Sequence, residues 1–141
     1  MNELFPMSDA AALTPSHTTD VIVCTTCRPA GASRDLPADG ELLFEAVQAA
    51  QLGDDAGAWA QVRVRGVACL SSCSRACSVA FQAAGKHTFV FGDLKPDEET
   101  ARHVLDCGAM HATAVDGMLN RNERPERLRS GIVVRLPPSV S

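Results

Sequence analysis

Asp20-Val-Ile-Val-Cys24-Thr-Thr-Cys27 is the stretch on which the fold turns. Its apolar, β-branched beginning is bounded by polar residues and suits a buried strand, which runs straight into a pair of cysteines. Beyond it, Pro29, Gly31 and Pro37 interrupt any helix between Thr25 and Ala38 and predict an extended loop, bracketed in positive charge by Arg28 and Arg34. Asp39 then offers a carboxylate as a helix N-cap, and Leu42, Leu43, Ala46, Val47 and Ala50 recur at helical spacing until Gly53 ends the pattern. Residues 54–60 read as a surface loop. After them Gln61-Val-Arg-Val-Arg65 alternates polar and apolar residues, as a half-buried strand does, and leads through Gly66 into Cys69.

Two strands joined by a helical crossover of this length are expected to be parallel, with a right-handed connection. Their C-terminal ends then share one edge of the sheet. The loop holding Cys24 and Cys27 therefore meets the loop holding Cys69 and Cys73, and two pairs distant in sequence become one site.

Downstream, Ser78-Val-Ala-Phe-Gln82 and His87-Thr-Phe-Val-Phe91 are β-rich runs separated by Ala83-Ala84-Gly85-Lys86, which suits a hairpin. Pro96 at the first helical position, followed by Asp97, Glu98 and Glu99 at the positive end of the helix dipole, opens a second helix. It carries Ala101, Val104 and Leu105 and runs to about Ala114, with Gly108 as a weak point. Asp93 is read as a cap on the approach to it. This order predicts an α/β, thioredoxin-like (ferredoxin-type) domain with a mixed sheet of about four strands and two main helices. The expected boundaries are a flexible leader over 1–19, the metal-binding domain over 20–115, and a basic C-terminal extension over 116–141, packed on the domain or trailing it. The extension holds a candidate edge strand at Ile132-Val-Val-Arg-Leu136. Its arginines from Arg121 to Arg129 alternate with Glu123 and Glu126 and read as a solvated, self-paired surface.

The bulk composition narrows the function. The 141 residues are 45% hydrophobic, enough for one packed core, while aromatics stand at 4% with no tyrosine, so the core must be mostly aliphatic. A formal net charge of −4 argues against nucleic-acid binding, which asks for a basic excess to neutralise phosphates. No stretch is apolar for long enough to span a membrane, and the first twenty residues lack the basic and apolar regions of an export signal. A reducing cytoplasm is the expected compartment, and there clustered cysteines serve as metal ligands or redox centres.

Five of the 6 cysteines lie in two short runs, Cys24-Thr-Thr-Cys27 and Cys69-Leu-Ser-Ser-Cys73-Ser-Arg-Ala-Cys77. Thiolates bind soft or borderline metals, and a 2Fe–2S cluster takes four of them, two per iron. Cys24, Cys27, Cys69 and Cys73 are the preferred four, each pair following a parallel strand. Cys77 is an alternative ligand or a buried thiol at the start of the third strand. Arg75 sets a permanent positive charge beside the thiolates, suited to holding a negatively charged cluster and raising its potential. A zinc or cobalt site without redox function competes, although structural zinc usually encloses a shorter span than the helix between these pairs. Thiol–disulfide exchange at Cys24 and Cys27 is the third reading; Pro29 and Gly31 leave no immediate helix to activate the first thiol. Cys107 and the four histidines, His17, His87, His103 and His111, read as core or surface residues rather than ligands.

Val23-Cys24-Thr-Thr-Cys27-Arg-Pro-Ala-Gly31, Ala68-Cys69-Leu-Ser-Ser-Cys73-Ser-Arg-Ala-Cys77-Ser-Val-Ala80, Gly85-Lys-His-Thr-Phe-Val-Phe-Gly-Asp-Leu94 and Arg124-Pro-Glu-Arg-Leu-Arg-Ser-Gly131 together resemble the domain-of-unknown-function 1636 family of predicted metal-binding proteins, over roughly Val21 to Pro138. The resemblance implies a metal-binding protein and suggests cobalamin biosynthesis as context, hence a partner in a redox or metallocofactor pathway. The layout is also similar to thioredoxin-like 2Fe–2S ferredoxins. That likeness puts their first ligand at Cys24 and their later pair at Cys69 and Cys73, and leaves Cys27 and Cys77 to compete for the remaining place, since those ferredoxins space their first pair more widely.

Overall fold

The computed structural model describes residues 18–71 and 75–139. The chain forms β1 (Thr19–Cys24), α1 (Asp39–Leu52), β2 (Val62–Val67), β3 (Val79–Gln82), β4 (Thr88–Phe91), α2 (Glu98–Thr113) and β5 (Ile132–Leu136), with short 3₁₀ turns at Arg121–Glu123 and Glu126–Leu128. One mixed sheet has the order β2-β1-β3-β4-β5. Strands β1 and β2 are parallel, in register from Thr19 opposite Val62 to Cys24 opposite Val67. Antiparallel pairings join β1 to β3, β3 to β4 and β4 to β5. The sheet thus has five strands where about four were expected, because Ile132–Leu136 pairs along β4.

Alternation along β1 divides its two faces. Val21 and Val23 are fully buried and pack with Leu43 and Val47 of α1 and with Val104 and Leu105 of α2. Asp20, on the other face, pairs with Arg63 at 2.7 Å and Arg65 at 3.3 Å on β2. Phe81, Phe89 and Phe91 supply the bulk of the core beyond the aliphatics; each contributes about 2–3 kcal/mol by burial. Phe81 and Phe91 also meet edge-to-face at 5.8 Å.

Four local expectations change. Asp39 is the first residue of α1 rather than its cap: Ala38 holds the N-cap position without a side-chain bond, and Asp39 and Glu41 meet the helix dipole from the first turn. The cap of α2 is Asp97, which accepts the Thr100 amide at 2.8 Å, so Pro96 lies before the helix and Asp93 is left for another role. Gly108 is no weak point. A Cβ there would sit 2.9 Å from Val21 Cγ2 and 3.1 Å from Val62 Cγ2, so glycine lets α2 cross closely over β1 and β2. The arginine segment is not simply a solvated surface either. Arg124 is buried with its guanidinium carbon 5.2 Å from the centroid of Phe91, and Leu128 between its neighbours is fully buried. Among the described residues no helix is long and apolar enough to cross a membrane.

Candidate metal centre

Strands β1 and β2 end on one edge of the sheet because they are parallel, and hydroxyl-bearing residues stitch the loops that follow. Thr25 donates to Val67 O twice, from its amide at 2.8 Å and its hydroxyl at 3.1 Å. The Thr26 hydroxyl donates to Ala68 O, immediately before Cys69. From below, α1 supports the same loop: the Gly40 amide donates to Cys27 O at 3.0 Å, and a Cβ on Gly40 would lie 2.0 Å from Cys24 O. The helix start and the cysteine loop therefore touch main chain to main chain.

Cys24 and Cys27 are buried, with their sulfurs 2.9 Å apart and the Cys27 thiol donating. Burial alone would push the Cys24 thiol up. The hydrogen bond from Cys27, the amides of Thr26 and Leu70 and the Thr26 hydroxyl more than offset it and hold Cys24 below its ordinary value. For Cys27, burial and the donated bond push the thiol up to about 11. The two thiols form an asymmetric pair, with Cys24 the more acidic of the two. Cys27 also reaches the Ser78 hydroxyl at 3.8 Å.

Cys77 is fully buried at the entry to β3, where its amide and carbonyl exchange bonds with Leu94 at 3.1 and 3.2 Å. Burial, and then the charges of Asp39, Cys27 and Cys24, push its thiol up to about 12. Cys69 is exposed, and its sulfur accepts the Ser71 amide at 3.1 Å. Cys73 lies outside the described residues. Cys107 is a core thiol on α2, fully buried and pushed by burial up to about 12. Arg75 is engaged with Asp93, its Nη2 standing 2.7 Å from the carboxylate.

The structure thus brings Cys24 and Cys27 into contact and places Cys77 close enough to feel both. It ties the segment entering Cys69 to the same loop. Among the described residues no group of three or more ligand-type side chains is already gathered at metal-binding spacing. The donor chemistry nonetheless fits a soft or borderline ion. Two sulfurs sharing a tetrahedral ion at bonds near 2.3 Å stand about 3.8 Å apart. The Cys24–Cys27 pair, at 2.9 Å, needs to open by only about 1 Å to reach that span. The described histidines are engaged elsewhere: His111 is fully buried between Thr19 and the His87 carbonyl, His87 Nδ1 meets the Asp116 carbonyl, and His103 accepts the Arg127 amide. Thr25, Thr26 and Ser78 are the supporting residues that sequence reasoning passed over. Their signal was hydroxyls flanking cysteines; for Gly40 there was none.

The family described as protein of unknown function (DUF1636) matches residues 21–138, a span that contains all of these elements. The chain belongs to the DUF1636 family. No curated protein matches it. Among solved structures this DUF1636 member is similar to a thioredoxin-like [2Fe-2S] ferredoxin from Aquifex aeolicus, with a TM-score of 0.51 and 16% identity over 88% of this chain and 98% of that one. At that identity the likeness bears on the fold, and the DUF1636 sheet and its two helices are thioredoxin-like.

Proposed function

We infer that this DUF1636 chain is a thiolate metal protein that carries a [2Fe–2S] cluster on Cys24, Cys27, Cys69 and Cys73 and serves electron transfer or an accessory role. The observation that carries this reading is the stitching of the two cysteine loops, Thr25 to Val67 and Thr26 to Ala68, on the edge where both parallel strands end. The Aquifex aeolicus protein of similar fold, named as a [2Fe-2S] ferredoxin, lends the cluster its support over a single metal ion. Such a cluster, when bound, exchanges one electron at a time.

Each residue has a part to play. Cys24 and Cys27 present sulfurs in contact from a loop braced by Gly40, and Cys24 is already biased toward the thiolate that a metal requires. Cys69 brings an exposed sulfur from the loop after β2. Cys77 serves as a core thiol beneath them, and its burial and main-chain bonds to Leu94 favour Cys27 as the fourth ligand. Arg75 contributes positive charge near the site, moderated by its partner Asp93. Free thiols of this kind suit a reducing, cytoplasmic setting, with a redox or metallocofactor-pathway protein as partner.

Single Cys→Ser changes test the ligand set. Loss of Cys27 is expected to abolish stoichiometric metal binding, while Cys77→Ser lowers stability and leaves the metal-to-protein ratio intact. The opposite pattern would replace Cys27 by Cys77 in the set.

The asymmetric Cys24–Cys27 pair favours a second reading, thiol–disulfide exchange with Cys24 as the attacking thiolate. A zinc or cobalt site on the same cysteines is the remaining alternative, told apart from the cluster by colour and iron content.

A further inference from the structure

Arg75, two residues before Cys77, is held by the turn that follows β4. Its Nε donates to Asp93 Oδ2 at 2.7 Å, and its own carbonyl accepts the Asp93 amide at 2.9 Å. The same carbonyl accepts the Ser78 hydroxyl at 3.3 Å, and Ser78 in turn receives Cys27 at 3.8 Å. One residue further, the Gly92 amide donates to Gly131 O at 2.7 Å, fastening the turn to the segment before β5. Gly92 packs so tightly that a Cβ would lie 2.6 Å from Arg75 Cβ.

Asp93 adopts φ 61°, a left-handed conformation that non-glycine residues rarely take. Aspartate and asparagine are the non-glycine residues that most readily take it. An exposed ion pair contributes little stability by itself, and Arg75 and Asp93 are 38% and 53% exposed. What distinguishes this pair is that one residue grips both the side chain and the main chain of the other.

We propose that Asp93 is a positioning residue for the metal centre, fixing Arg75 and, through the Arg75 carbonyl and Ser78, the Cys77 segment against the Cys24–Cys27 loop. This rests on the thiolate-metal reading above. Partners of this outer kind orient the ligands, and their loss typically weakens metal binding by about 10- to 100-fold. Because asparagine tolerates the left-handed backbone, Asp93→Asn removes the charge while keeping the turn.

The test uses the full chain, reduced and metal-free, titrated with Co²⁺ while the thiolate-to-cobalt absorption is followed. Amide hydrogen exchange at positions 77 and 93 is measured in parallel without metal. Asp93→Asn is expected to weaken Co²⁺ binding by about tenfold and to dim the thiolate band per cobalt. It should also speed exchange at both amides. Arg75→Gln should do the same, and the double variant should bind no more than about twofold more weakly than either single one, because the two act as a unit. Wild-type exchange rates at 77 and 93 in Asp93→Asn overturn the proposal whatever the metal does. So does wild-type Co²⁺ affinity in that variant. A wild-type chain that shows no thiolate band contradicts the metal reading instead, and the exchange rates still decide whether Asp93 positions the loop.

Discussion

Thr25 and Val67 are joined twice, amide to carbonyl at 2.8 Å and hydroxyl to the same carbonyl at 3.1 Å, so the loop after β1 is fixed to the end of β2 just before Cys69. Replacing the hydroxyl by a methyl keeps the shape and the amide bond. Thr25→Val is therefore expected to cost only about 1 kcal/mol of folding stability in denaturant titration. Metal affinity should fall more than that stability loss implies, because the loops are held in register by this bond. An affinity equal to wild type would show that the stitch is dispensable.

The close approach of Gly40 to Cys24 gives a sharper prediction. A methyl group 2.0 Å from a main-chain oxygen cannot be absorbed by a side-chain rotation, so either α1 or the cysteine loop must move. Gly40→Ala is expected to destabilise by about 2 kcal/mol or more and to abolish stoichiometric metal binding, although alanine is the better helix former. A variant as stable as wild type that binds metal normally would contradict the geometry.

His111 makes the stability depend on pH. Burial, together with the nearby charges of Lys86 and His87, outweighs the bond to the His87 carbonyl and holds its pKa below the usual value. Its Nδ1 lies 2.7 Å from the Thr19 hydroxyl and its Nε2 2.7 Å from His87 O, while Lys86 donates to the His111 and Ala112 carbonyls. A depressed folded pKa means that the unfolded chain takes the proton first. The contribution is fully present above about pH 6.5 and is lost as pH falls from there toward the folded value. Thermal unfolding followed from pH 7.5 to 5.5 should show a falling midpoint in wild type and a flatter profile in His111→Gln. Equal slopes would refute the assignment.

Much of this architecture was legible from periodicity. Val21 and Val23 announced a buried strand, Leu43 and Val47 an amphipathic helix, and the strand–helix–strand order placed both cysteine loops on one edge. What stayed hidden depends on tertiary approach. Gly108 looks like a flaw in a helix until Val21 and Val62 are seen beneath it. Arg124 looks solvated among glutamates until Phe91 takes up its guanidinium. Asp93 looks like a cap because it precedes a helix by a few residues, yet its partner Arg75 lies eighteen positions upstream. Within the site, C-x-x-C spacing foretold the contact of Cys24 with Cys27. The burial of Cys77 followed from its place at the start of β3, which sequence offered only as one of its alternatives.

The most direct measurement is to purify the full chain anaerobically, reconstitute it with iron and sulfide, and record its visible and electron paramagnetic resonance spectra with iron and sulfide analysis. The account predicts a brown protein with sulfur-to-iron charge-transfer bands, about two irons and two sulfides per chain, and a paramagnetic signal after one-electron reduction. A colourless protein holding one zinc ion, or a metal-free protein with a reactive low-pKa Cys24, would contradict it.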